Sequence, residues 1–151
     1  YGGGQEENLR SGTENVPGIV GFGMAMDRAG REVHQRKAHL ARCTRQLESM
    51  IRTKLHEALV QSGEVDRIPG TSMFSLPGIR GKWLAQLPQI IASSGSACAS
   101  LQGKPSHVLR AMGVSEETAL RSIRISLGIP TKEAEVREIA NQVVAGGRKL
   151  L

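Results

Sequence analysis

Between residues 40 and 59 the apolar side chains Leu40, Cys43, Leu47, Met50, Ile51, Leu55 and Leu59 recur at helical spacing. That places them on one face of an α-helix and excludes a strand, whose faces alternate at every second residue. The pattern predicts one long helix stopped by Gly63, of a length that bridges two lobes. Upstream, helical patterning begins at Pro17, whose missing N–H suits a first turn where that group would be unpaired anyway. Ile19, Val20, Phe22 and Met26 can share one side there. Gly18, Gly21 and Gly23 each weaken the helix by about 1 kcal/mol relative to Ala, so close packing against another element is the expected return.

Charge follows the same helix. The net charge of +6 is concentrated in Arg28, Arg31, Arg36, Lys37, Arg42, Arg45, Arg52 and Lys54, opposed by Glu32 and Glu48. These residues avoid the apolar stripe, which makes a solvated face the simplest reading. None of the four aromatic residues, Tyr1, Phe22, Phe74 and Trp83, lies inside the run of basic residues. A stacking platform for single-stranded nucleic acid is therefore not expected.

Beyond Gly63 the elements are short. Thr71 to Leu76 reads as a strand ended by Pro77-Gly78, Lys82 to Leu87 as a short helix or turn, and Ile90-Ile91-Ala92 as a short strand. Pro105 to Met112 reads as a helix closed by Gly113. Ser115 then offers an N-cap, with Glu116 and Glu117 favouring the first turn that follows. Ile123, Ile125 and Leu127 alternate with Arg124 and Ser126, the mark of a strand with one buried face and Arg124 on the other. Thr131 is expected to cap a last helix with the core stripe Val136, Ile139, Ala140, Val143 and Val144. The fold class is thus α+β. Residues 64–151 form a small domain with one sheet covered on one side, and residues 1–63 form the end of a preceding domain plus a connecting helix.

No apolar stretch approaches the roughly 20 residues of a membrane span. The start, Tyr1-Gly2-Gly3-Gly4-Gln5, lacks the basic and apolar regions of a signal peptide and reads as a cut inside a longer chain. Two cysteines, Cys43 and Cys98, make no disulfide framework. With His34, His39, His56 and His107 they show no zinc-ligand spacing, so no metal site is expected. A reducing compartment follows, cytoplasmic or, in a eukaryote, mitochondrial. Cys43 sits in the helical stripe and reads as inert.

Cys98 differs. It lies in Ser93-Ser94-Gly95-Ser96-Ala97-Cys98-Ala99-Ser100, a run of small residues with no large side chain to bury a thiol. Such a run favours a solvated loop that can carry a thiol toward a substrate and away again. An incidental thiol on a surface loop is the plain alternative.

Three blocks, taken in order, narrow the choice. They are GGGQEENLRSGTENVPGIVGFG from Gly2, SSGSAC ending at Cys98 with PSHVLRAMG after it, and SIRISLG from Ser122. Their sequence and spacing closely resemble the C-terminal part of the NifS-like cysteine desulfurases and the related selenocysteine lyases, over nearly the whole chain. The resemblance implies a fold-type I, aspartate-aminotransferase-like enzyme that uses pyridoxal 5'-phosphate (PLP) and acts as a homodimer. It implies conversion of L-cysteine to alanine with the sulfur held as an enzyme persulfide, or release of selenium from L-selenocysteine. A non-catalytic truncated paralogue serving as a binding or dimerisation module is the third reading.

By the same resemblance Cys98 is the nucleophile, and such chemistry needs the thiolate and a mobile loop. Arg124 corresponds to the residue that pairs with the substrate carboxylate, for which a guanidinium fork is suited. Thr13 corresponds to the threonine whose hydroxyl reaches the cofactor phosphate of the other subunit, with Arg10 expected to support its loop. His107 is expected to cap or pack rather than to catalyse. The Schiff-base lysine of the family, which lies upstream of the Gly-rich block, has no counterpart here, so the chain alone is expected to be inactive. Ile129-Pro130 stands where the family carries Arg and an aromatic residue. A sulfur-acceptor protein is the implied partner, whether an iron–sulfur scaffold, a tRNA-thiolation component or a selenophosphate route.

Overall fold

A computed structural model describes residues 2–78, 80–81, 90, 92–94 and 104–149. Its elements in chain order are a 3₁₀ turn (Glu6–Asn8), α1 (Val16–Lys54), β1 (Leu59–Val60), β2 (Thr71–Ser75), α2 (His107–Ala111), α3 (Glu116–Leu120), β3 (Ser122–Ser126) and α4 (Glu133–Lys149). The chain divides into two compact units, Tyr1–Arg36 and Lys37–Leu151.

In the second unit, the three strands form an antiparallel sheet in the order β1-β2-β3. The register sets Phe74 opposite Ile123, Met73 opposite Arg124 and Ser72 opposite Ile125. Because side chains alternate, one face of the sheet carries Phe74, Leu76, Ile123, Ile125 and Leu127. That face is buried against Cys43, Leu47 and Ile51 of α1 and Val136, Ala140 and Val143 of α4, in a single apolar cluster. An antiparallel sheet with one face packed on helices, the buried face of β3 and the α4 stripe are present as the sequence predicts.

Other details differ from the sequence reading. The long helix ends at Lys54, nine residues before Gly63. Its last turn breaks where the Ala58 N–H turns back to the Leu55 carbonyl at 2.9 Å, which buries Ala58 and sends Leu59 into β1, paired with Ser75. Thr131 does not cap α4. Its Oγ1 accepts from the Gly128 N–H at 3.0 Å, and the Lys132 N–H donates to the Glu135 carboxylate at 2.7 Å, so the helix begins two residues later at Glu133. Two of the three glycines lack the expected partner: among the described residues a methyl group at Gly21 or Gly23 would meet nothing within 4 Å, whereas one at Gly18 would meet the Asn15 side chain. The reading of Lys82 to Leu87 as a short helix falls outside the described residues.

Of the short helices, α3 is capped by Ser115 as expected, while α2 begins at His107, two residues after Pro105, behind a Ser106 cap that the sequence reading did not name. The Ser115 hydroxyl accepts from the Thr118 N–H at 3.2 Å, and Ser106 caps α2 in the same way. This satisfies N–H groups that a first turn leaves unpaired and places His107, exposed, at the start of α2. In front of β2, the Gly70 N–H donates to Thr44 Oγ1 at 3.1 Å, and the Gly70 carbonyl accepts from Leu127 at 2.6 Å. One residue thereby ties the middle of α1 to the end of β3.

Candidate functional site

The other face of the sheet is mostly polar. It carries Thr71, Met73 and Ser75 from β2 and Ser122, Arg124 and Ser126 from β3. At one end the serines are buried and linked in a directed chain. Gln61 donates to Ser75 Oγ at 2.7 Å, the Ser75 and Ser122 hydroxyls lie 2.7 Å apart, and Ser122 donates to the Thr118 carbonyl at 2.9 Å. A buried hydroxyl without a partner costs about 1–3 kcal/mol, and here each has one. The chain thereby fixes β3 against β2 and α3 immediately before Arg124.

Arg124 itself is exposed on this face. Its backbone takes a second partner on the side of β3 away from β2. The Ser93 N–H donates to the Arg124 carbonyl at 3.1 Å, and the Arg124 N–H donates to the Ser93 carbonyl at 2.7 Å. These two bonds form an antiparallel bridge. The segment that enters the small-residue run is therefore pinned to the very residue that presents the guanidinium. Cys98 falls outside the described residues. Nearby, Gly81 lies so close to β3 that a Cβ there would come within 2.0 Å of the Ser122 carbonyl oxygen. Only glycine permits that approach.

Sequence reasoning did not foresee the Ser93 bridge, because a serine after Ile90-Ile91-Ala92 carries no pairing signal of its own. The pairing of Ser75 with Ser122 was not foreseen either, since it depends on β2 and β3 being neighbours.

In the first unit, Thr13 is exposed. The backbone around it is braced by two side chains. The Arg10 guanidinium donates to the carbonyls of Gly12 and Thr13 at 2.9 and 3.2 Å, and Gln5 Oε1 accepts from the Gly12 N–H at 3.0 Å. Gly12 has φ +99°, a conformation that other residues rarely adopt. The Thr13 hydroxyl makes no hydrogen bond among the described residues. A free hydroxyl beside an arginine on a braced turn fits a phosphate group, which takes donors and positive charge. Gln5 is a bracing residue that sequence reading missed. Thr13 and Arg124 belong to different units, and each is described within its own.

Among the described residues no cluster of His, Cys, Asp and Glu could hold a metal ion. Cys43 is fully buried, with the His39 ring 3.8 Å from its sulfur and that ring bonded to the Thr131 carbonyl at 3.0 Å. Its thiol is a core residue. Among the described residues no helix is long and apolar enough to cross a membrane.

Residues 3–139 match the aminotransferase class-V family. A cysteine desulfurase IscS of Anaeromyxobacter sp. (strain Fw109-5) is 41% identical over 99% of this chain and 37% of its own length. A mitosomal cysteine desulfurase of Encephalitozoon cuniculi is 38% identical over 99% of this chain and 34% of its own length. A solved NifS-like protein from Rickettsia africae superimposes with a TM-score of 0.80 at 32% identity, covering 96% of this chain and 38% of that one. The chain thus spans little more than a third of the relatives it matches.

Proposed function

The chain belongs to the aminotransferase class-V family, and from that premise we propose that it is the C-terminal part of a PLP-dependent cysteine desulfurase acting on L-cysteine. The observation that carries this reading is the bridge between Ser93 and Arg124. It joins the approach to a cysteine-bearing run with an exposed arginine suited to an amino-acid carboxylate. Relatives named cysteine desulfurase, 38–41% identical across nearly the whole chain, support it.

In this reading Arg124 grips the substrate carboxylate through its planar fork, and the strand holds that fork at a fixed address. Cys98, as a thiolate, attacks the substrate sulfur. An S–S bond forms on Cys98 while the substrate C–S bond breaks. The electron pair of that bond stays with the substrate carbon, which takes up a proton and leaves as alanine. Bound PLP supplies the electron sink that makes this carbon reactive. Thr13 donates its hydroxyl to the cofactor phosphate, and Arg10 and Gln5 keep the turn in shape. The sulfur on Cys98 then passes to an acceptor thiol of a partner protein. A homodimer brings Thr13 to the site of the other subunit, residues 1–63 and 64–151 act as the connecting and small domains, and the setting is cytoplasmic or organellar.

The test is intact-mass analysis after incubating this chain, joined to the N-terminal portion its relatives possess, with PLP and cysteine. A gain of one sulfur, mapped to Cys98 and absent in Cys98→Ser, is the expected result. Persulfide retained in Cys98→Ser overturns the assignment of that residue. Alanine released only from selenocysteine assigns a lyase, and no gain with PLP bound assigns a binding module. Arg124→Lys is expected to raise KM more than it lowers kcat, because it loses the bidentate grip on a group remote from the breaking bond.

A further inference from the structure

The cationic face of α1 within the second unit borders a groove that the proposed chemistry does not use. A cleft of about 240 Å³ lies between α1 and the stretch 65–69. Arg45 and Glu48 line both this cleft and a shallower trough of about 630 Å³ farther along the helix. Lys37, Arg45 and Arg52 follow this face at intervals of eight and seven residues, so they stand about 12 and 10 Å apart along the axis. All three are exposed, and none has an ion-pair partner among the described residues.

Glu48, the carboxylate between them, is already committed. It accepts from Arg67 at 2.8 Å and from Ser72 Oγ at 2.5 Å. Asp66 is the other acid of the cleft, which leaves an excess of positive charge along the groove. The opposite wall, residues 65–69, carries Asp66 and Arg67 and also leaves two aliphatic side chains open: Val65 is 62% and Ile68 85% exposed. The spacing of the cations is too wide for one phosphate group to bridge. Among the described residues the groove is lined by no Phe, Tyr or Trp, and His56 at the far end of the trough is its one ring, too little for the successive stacking that a single strand requires. A polypeptide satisfies both walls, with carboxylates for the helix and an aliphatic side chain for the loop.

We propose that this groove docks an acidic segment of a protein partner, laid along α1 with carboxylates against Lys37, Arg45 and Arg52 and an aliphatic residue against Val65 and Ile68.

The test is fluorescence anisotropy on the purified chain with a fluorescein-labelled peptide of three Asp-Glu-Glu-Leu repeats. A matched peptide with Ser for Leu and a single-stranded RNA of equal charge are the comparisons. The Leu peptide is expected to bind, and raising NaCl from about 50 to about 300 mM should weaken it about tenfold, as for an exposed charged interface. The double variant Arg45→Glu/Arg52→Glu is expected to abolish binding, and Ile68→Ser to reduce the Leu peptide to the level of the Ser peptide. All three residues are exposed, and an unchanged far-UV circular dichroism spectrum confirms the fold of each variant. Absent binding, binding indifferent to the charge reversal, or tighter binding of the RNA overturns the proposal.

Discussion

The two halves of α1 carry the same kind of apolar stripe and put it to different use. After Lys37, Cys43, Leu47 and Ile51 are fully buried against the sheet and α4. Before it, Val20, Phe22 and Met26 remain 56, 68 and 58% exposed among the described residues. The first half instead relies on local devices. Glu32 accepts from both Arg28 and Arg36, and Asp27 pairs with Arg31. Such exposed pairs each contribute only a fraction of what one buried leucine does. Helical period reveals which side of a helix is apolar. It does not reveal whether anything covers that side.

Substitutions can break or sharpen this contrast. The largest effect is expected from Leu47→Ala, which should cost about 2–5 kcal/mol in urea unfolding by emptying a fully packed site. Val20→Ala, a truncation in the exposed half, should cost less than about 0.5 kcal/mol. Equal losses would remove the distinction. Next is Glu48→Ala, which deprives the partly buried Arg67 and the buried Ser72 hydroxyl of their shared acceptor. It should cost about 1–3 kcal/mol by the same unfolding measurement.

Gly21→Ala and Gly23→Ala have open space on the helix and should each stabilise it by up to about 1 kcal/mol, seen as increased helicity in circular dichroism. A loss of helicity would mean that these glycines meet a neighbour after all. The smallest effect concerns pH. Hydrogen bonds from Arg36 and then Arg28 hold the Glu32 carboxyl below its ordinary value of 4.5. A depressed folded value stabilises above the unfolded one, so this contribution is in force above pH 4.5 and is lost as pH falls through the folded value. Helicity of the first half should decline over that window, and Glu32→Gln should flatten the decline.

The chain was most legible where one face is packed and the other is not. β2, β3 with Arg124 outward, the α4 stripe and the Ser115 cap all follow from side-chain period and local hydrogen bonding. The misses are positions where another contact outcompetes the simplest local pattern. Leu59 fits the helical period, yet it leaves the helix because pairing with Ser75 claims it. Thr131 looks like a cap, yet Gly128 folds back to take its hydroxyl. Within the candidate site, Arg124 could be placed on its face from the alternation alone. Support of the Thr13 turn by Arg10 is expected from the resemblance, but the Gln5 brace on Gly12 and the Ser93 bridge depend on partners seven and 31 residues away, which no local pattern specifies.

The bridge at Arg124 has a consequence in terms of concentration. Ser93 and Cys98 are five residues apart, so whatever path the chain takes, their Cα atoms lie within about 17 Å. One thiol confined to a sphere of that radius is present at roughly 0.1 M relative to its anchor. In the proposed reaction, a substrate carboxylate gripped by Arg124 would meet this sulfur as if it were dissolved at a level that free thiols in solution seldom reach. Each residue inserted between Ser94 and Cys98 would enlarge that sphere and dilute the encounter.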